Sequence, residues 1–152
     1  MDIETRRRCE DAAIWYGERD PMKREIIRTD KVYQSPNPLS QAIKFGDFIF
    51  TSGFLPREPV TGKVVAGGMR EQTRQVLENL KHVLEAAGSS MEDVLKITVF
   101  ITDKEKFEDM NEVYRIYFPS HEPARICVEA NMTRADCLIE MDCIAAVRKK
   151  RR

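Results

Sequence analysis

The stretch MREQTRQVLENLKHVLEAAGSSMEDVLKITVFIT, residues 69–102, changes its hydrophobic period once, and that change decides the fold. In its first half Thr73, Val76, Leu77, Leu80, Val83, Leu84 and Ala87 recur at three- and four-residue steps, which places them on one helix face. Gly88 stands where helices commonly end in a left-handed residue. After a short link the period falls to two. Leu95, Ile97, Val99 and Ile101 share one face of a β-branched strand, and Val94, Lys96, Thr98 and Phe100 share the other.

Working outward, KEKFEDMNEVYRIYF (104–118) predicts a second amphipathic helix, with Phe107, Met110, Tyr114 and Tyr117 on its core side and Pro119 as its stop. ARICVEANM (124–132) and LIEMDCIAAVR (138–148) predict two closing strands, and NMTRAD between them predicts a hairpin loop and an antiparallel pair. Upstream, EIIRTDKVYQS (25–35) predicts one or two short strands. AIKFGDFIFTSG (42–53) reads as strand, Gly-Asp turn, strand, and PREPVTGKVV (56–65) as a turn with a short strand after it. The order ββ(β)αβαββ predicts an α+β domain, a single sheet with two helices on one face, whose first helix spans a parallel crossover. This domain occupies residues 25–148. An N-terminal extension, 1–24, holds a candidate short amphipathic helix around Ile14 and Trp15, and a basic tail follows at 149–152.

A chain of 152 residues suffices for one domain with a sizeable core. Lys plus Arg and Asp plus Glu number 25 each, so the formal net charge is zero and nucleic acid is not an expected partner. No apolar run approaches the ~20 residues that span a bilayer, and the N-terminus has no apolar signal region, so a cytoplasmic protein without a membrane partner is expected. Cys9, Cys127, Cys137 and Cys143 form no CxxC pair, and His82 and His121 are isolated, which predicts free packed thiols and no metal site.

With the helices on one face of the sheet, the other face needs an occupant. Alternation assigns it Lys96, Thr98, Arg125, Cys127, Glu129, Glu140 and Asp142, too polar for a core and too patterned for plain surface. This predicts a subunit interface with polar pockets, and hence a homo-oligomer; a solvated face is the alternative. Arg125 opens its strand with a planar fork of donors that suits a carboxylate or phosphate, or an ion pair with Glu129 or Glu140. Glu140 and Asp142 point the same way, about 7 Å apart. A partly desolvated carboxylate there has a raised pKa and can move protons near neutral pH, or else it pairs with Lys96 or Arg125. His121, four residues before Arg125, is a candidate pocket residue. Gly67-Gly68 either loosens the turn into the first helix or receives an anion.

The segments SQAIKFGDFIFTSG, EQTRQVLENLKHVLEAAG, DVLKITVFITDKEKFEDMNEVYRIYF, PARICVEA and LIEMDCIAAV, in this order and spacing, resemble the RidA/YjgF family of enamine/imine deaminases over about residues 25–148. The resemblance implies a chorismate-mutase-like fold assembled as a trimeric barrel, a homotrimer with clefts between subunits. It implies that Arg125 binds a substrate carboxylate, that Cys127 is the small residue after it in the pocket, and that Glu140 is the catalytic glutamate. Ser52 matches the pocket serine before the family's glycine, Gly53, and Asn111 matches a helix asparagine that shapes the cleft. One position departs: Leu39 stands where hydrolytic members often carry a tyrosine, two residues before the glutamine of PLSQA. The implied reaction converts small carboxylate-bearing 2-imino or 2-enamino acids, such as 2-aminoacrylate and its imine, to a 2-keto acid and ammonia. Arg125 clamps the carboxylate, Glu140 orients water, and no metal or organic cofactor is required. Alternatives are a 2-aminomuconate-type deaminase, which Leu39 would suit, and a non-catalytic carboxylate-binding trimer. An RNA-acting protein has only the RKKRR tail in its favour.

Overall fold

The computed structural model describes residues 23–148. Strands β1 (Glu25–Ile27), β2 (Ala42–Phe45) and β3 (Phe48–Thr51) lead to helix α1 (Met69–Ala86), followed by β4 (Val94–Ile101), helix α2 (Phe107–Tyr117), β5 (Ala124–Glu129) and β6 (Ile139–Ala146). The expected element order is the observed one. The segment 56–65 contributes an isolated bridge, Arg57 to Val64, in place of the expected short strand. The expectations for the N-terminal extension up to residue 22 and for the tail at 149–152 lie outside the described residues. Arg148, the last residue of the expected domain, bonds Glu92 at 2.7 Å and Asp93 at 3.2 Å.

The sheet order is β1-β2-β3-β6-β4-β5. Gly46, at φ 58, makes the tight turn that pairs β2 with β3. β6 runs antiparallel to both β3 and β4, while β5 pairs with β4 in parallel. The expected β5–β6 hairpin is therefore absent, although the two strands do run in opposite directions. β6 inserts between β3 and β4 because its inward residues Ile139, Met141, Cys143 and Ala145 are all buried. A strand so placed satisfies its backbone donors and acceptors on both edges, which a terminal hairpin position would not allow. β5 is left at the edge, directly after Pro123, a residue that edge strands tolerate.

Helix α1 packs against β6 and α2 through the face read from the sequence; Thr73, Val76, Leu77, Leu80, Val83, Leu84 and Ala87 are all buried. Gly88 follows it at φ 80, as expected of a helix terminator. The second helix departs in detail. Met110, Asn111, Val113 and Tyr114 form its buried face, whereas Phe107 is exposed. β4 departs at one point. The ladder with β6 shifts register between Val94 and Lys96, so Val94 turns inward and Leu95 turns outward, 47% exposed. A bulge adds one residue to one strand and reverses the alternation that precedes it.

Register also corrects the composition of the open face. Arg125, Cys127 and Glu129 lie opposite Ile97, Val99 and Ile101, the inward residues of β4, so all three sit on the helix side. The open face keeps Lys96, Thr98, Glu140 and Asp142 and gains an apolar surround. Phe48, Phe50, Ile126 and Val128 are 48%, 43%, 49% and 41% exposed there. The cause is the edge position of β5: α2 closes the inward side of β5 with polar as well as apolar groups, so apolarity does not mark its inner face.

The bulge makes a checkable ordering. Val94→Ala removes buried atoms and is expected to cost roughly 1–3 kcal/mol, while Leu95→Ala, which deletes the larger side chain, is expected to cost less. Urea denaturation of the two variants checks this, and the reverse order would place Leu95 in the core.

Candidate functional site

β6 carries Glu140 on the open face, and the chain after β3 brings its neighbours. The Phe54 amide donates to the Met141 carbonyl at 2.7 Å, and the Met141 amide returns a bond to Phe54 at 3.2 Å. This clip holds Gly53 against Glu140: a Cβ built on Gly53 would lie 2.1 Å from Glu140 Oε1. Glycine is needed here for space, not for backbone freedom. Ser52 is fastened on both sides, its hydroxyl donating to Ser40 O at 2.6 Å and its amide to Gln41 O at 3.0 Å. Buried Gln41 grips Thr29 in turn, accepting from its amide at 2.7 Å and donating to its carbonyl at 3.1 Å. Leu39, two residues before Gln41, is thereby held over the same cleft.

That cleft, about 190 Å³, is lined by Leu39, Ser52, Gly53 and Glu140 together with Tyr33 and Arg57. Its volume suits a small-molecule ligand. Burial, with a smaller contribution from the Asp142 charge, raises the Glu140 pKa above the usual carboxylate range. Among the described residues no donor bonds the Glu140 carboxylate, so its oxygens are open to the cleft. Asp142 is also raised by burial, against the opposing effects of the Thr98 hydroxyl and Lys96.

Arg125 belongs to a second cleft, lined by Asn111, Tyr114, Arg115, Phe118, Glu122, Pro123 and Arg125 itself. Its Nη1 donates to Asn111 Oδ1 at 2.8 Å. Its guanidinium lies 4.7 Å from the Tyr114 ring centroid and 5.5 Å from that of Phe107. α2 thus orients the cation without neutralising it; no carboxylate among the described residues forms an ion pair with Arg125. Glu129 instead accepts from the Lys104 amide at 3.2 Å.

The expected site residues therefore separate into two groups on opposite faces of one sheet. Leu39, Ser52, Gly53 and Glu140 come together, and so do Asn111 and Arg125. Cys127 lines neither cleft; it is half-buried, and burial pushes its thiol pKa up. His121 is scaffold, with Nε2 3.2 Å from the Met91 carbonyl oxygen and its ring edge-on to Phe118. At Gly67-Gly68 the chain's own Glu71 takes the anion position, accepting from the Gly68 amide at 2.8 Å. Tyr33 and Arg57 were not expected in the site. They sit on loops, where no periodicity marks them.

The family described as Endoribonuclease L-PSP matches residues 29–147. A RutC family protein of Pyrococcus abyssi is 48% identical over 124 residues, covering 82% of this chain and 98% of the relative. The putative reactive intermediate deaminase TdcF of Escherichia coli is 38% identical over 125 residues, covering 80% and 96%. Its crystal structure with bound serine matches at a TM-score of 0.76, over 80% of this chain and 98% of that one. The structure of a putative endoribonuclease from Thermotoga maritima matches at 0.78 with 42% identity, covering 82% and 98%.

Two outcomes follow from the Glu140 cleft. Gly53→Ala forces the flexible end of Glu140 aside while leaving the backbone clip in place, so ligand binding in this cleft is expected to fall at least tenfold with little change in thermal stability. Titration calorimetry with a 2-keto acid, read beside a melting curve, checks it. Glu140 has a folded pKa above its ordinary 4.5, so its ionisation opposes folding. Wild-type stability is complete below the ordinary value and declines as pH rises through the folded one. Glu140→Gln is therefore expected to melt with wild type at pH 4 and above it at pH 8.

Proposed function

Because the chain belongs to the RidA/YjgF family, to whose profile and named reactive intermediate deaminases it is similar, we propose that it is a hydrolytic deaminase of small 2-imino and 2-enamino acids, releasing ammonia and a 2-keto acid. The observation that carries this reading is Glu140: a half-buried carboxylate with a raised pKa, free of protein donors, pressed against Gly53 in a small cleft. Such a group holds a proton more readily than an exposed carboxylate and can both take and return one.

The chemistry asks for a base, a carboxylate anchor and water. Glu140 removes a proton from water as its oxygen bonds to the imine carbon. The C=N π pair moves to nitrogen, which takes up a proton, and a carbinolamine results. The hydroxyl proton then passes through Glu140 to the nitrogen as the C–N bond breaks, and ammonia and the keto acid leave. An enamine first takes a proton at its β carbon. Arg125 supplies the anchor, with its remaining N–H groups presented as a fork to the substrate carboxylate.

Arg125 and Glu140 lie on opposite faces within one chain, so one substrate reaches both only if they come from different copies. The exposed Phe48, Phe50, Ile126 and Val128 supply an apolar surface for that association. A homotrimer, the arrangement the family resemblance implies, places Arg125 of one copy at the Glu140 cleft of its neighbour. Leu39 gives this cleft an apolar wall in place of a hydroxyl.

Complementation tests the proposal. Alone, Arg125→Ala is expected to lower kcat/KM by about 10–100-fold and Glu140→Gln by about 10²–10⁴-fold, measured as keto-acid formation beside a threonine dehydratase. Unfolded together and reassembled at equal ratio, the two variants are expected to recover about a quarter of wild-type activity, the share of sites with both groups intact. If wild type does not exceed the rate without added protein, the deaminase reading fails. No recovery from active wild type would sink the shared site.

A further inference from the structure

We propose that Arg57 is a binding residue for a second anionic group on the substrate, so that the Glu140 cleft favours dicarboxylic 2-imino acids over monocarboxylic ones. This rests on the reading above, in which that cleft holds substrate. Among the described residues lining the cleft, Arg57 is the only cation and Glu140 the only carboxylate.

The guanidinium is fixed from behind at every level. The Arg57 amide donates to Leu55 O at 2.8 Å. Asn79 of α1, buried at 1% exposure, donates from Nδ2 to the carbonyls of Leu55 at 3.2 Å and Arg57 at 3.0 Å. Asn79 is itself held by Gln75, which donates to its Oδ1 at 3.0 Å. In the side chain, Nε donates to Gly62 O at 2.6 Å, and the guanidinium carbon lies 3.6 Å from the centroid of the Tyr33 ring. Gly62 lets the ring in: it has φ +66, and a Cβ there would stand 2.2 Å from the Tyr33 ring.

What this scaffolding leaves unused is the pair of terminal Nη groups. Among the described residues neither has a hydrogen-bond acceptor, and no carboxylate forms an ion pair with Arg57. Asp136 is near enough to feel the Arg57 charge, but Arg134 already grips it bidentately at 3.0 and 2.7 Å. A guanidinium with one face and Nε committed loses little further freedom on binding, and its two outward N–H groups match a carboxylate. A monocarboxylic imine anchored at Arg125 leaves Arg57 unfilled, whereas a dicarboxylic imine engages both cations.

The test is calorimetric binding of 2-oxo acids paired by chain length: 2-oxopentanoate with 2-oxoglutarate, and 2-oxohexanoate with 2-oxoadipate. Full-length wild type, Arg57→Gln and Arg57→Lys are compared. Wild type is expected to bind at least one dicarboxylate about tenfold or more tighter than its partner, consistent with a charge-assisted bond. Arg57→Gln is expected to lose that preference with monocarboxylate affinity unchanged, and Arg57→Lys to keep part of it. Equal affinity within both pairs, a preference that survives Arg57→Gln, or equal loss for both members of a pair overturns the proposal. So does a wild type that binds none of them. Absence of imine hydrolysis with the Arg57-dependent preference intact would overturn the deaminase reading alone.

Discussion

The ladders that β6 makes with β3 on one edge and β4 on the other settle both faces of the sheet together. Ile139, Met141, Cys143 and Ala145 must point under α1, because that is where the core is. Side chains alternate along a strand, so Glu140 and Asp142 then have no choice but the open face. The Phe54–Met141 bridge extends the same ladder beyond β3 and carries Gly53 to the Glu140 carboxylate. The core and the cleft are thus two sides of one pairing. A slip of β6 by one residue would bury two carboxylates and expose four apolar residues, an exchange no compensating contact could offset.

The same pairing keeps Arg125, the expected substrate anchor, away from Glu140. Arg125 and Glu140 cannot neutralise one another within a chain, because a sheet stands between them. Each is instead conditioned locally. Arg125 is oriented by an amide oxygen and an aromatic ring, partners that leave its charge intact. Glu140 is desolvated with a like charge nearby, which favours holding a proton. Two groups that would collapse into an inert ion pair if adjacent are preserved in working form by their separation. In the proposed function, reuniting them around a substrate falls to association, for which the apolar residues of the open face would provide a driving force.

Legibility in the sequence tracked how directly a periodicity maps onto burial. The α1 face was readable residue by residue, since the core wraps the helix evenly. β4 was readable except at the bulge, because an inserted residue changes phase without changing composition. The two faces of β5 are the reverse of the expected ones. Its alternation is real, but an edge strand under α2 can be polar on either side, and only the register with β4 tells which side is in. The β5–β6 hairpin failed for a related reason: loop composition reports a reversal of direction, not which strand becomes the neighbour. Glu140 and Gly53 could be found from strand alternation and family resemblance together. Tyr33 and Arg57 could not, since a buried asparagine on a distant helix places their stack, and nothing in the PREP turn announces that contact.

That stack bears on Leu39. A tyrosine at position 39 would offer the cleft a neutral hydroxyl. Leucine offers none, and 47% of its surface is exposed. Tyr33 lines the same cleft, yet the Arg57 guanidinium covers its ring, so the tyrosine serves the arginine as a platform. Among the residues lining this cleft, Arg57 carries the positive charge. A hydroxyl discriminates weakly between neutral and anionic neighbours, whereas a guanidinium with two unused donors strongly prefers an anion. In the proposed recognition, Leu39 makes its part of the wall apolar while Arg57 supplies the positive charge.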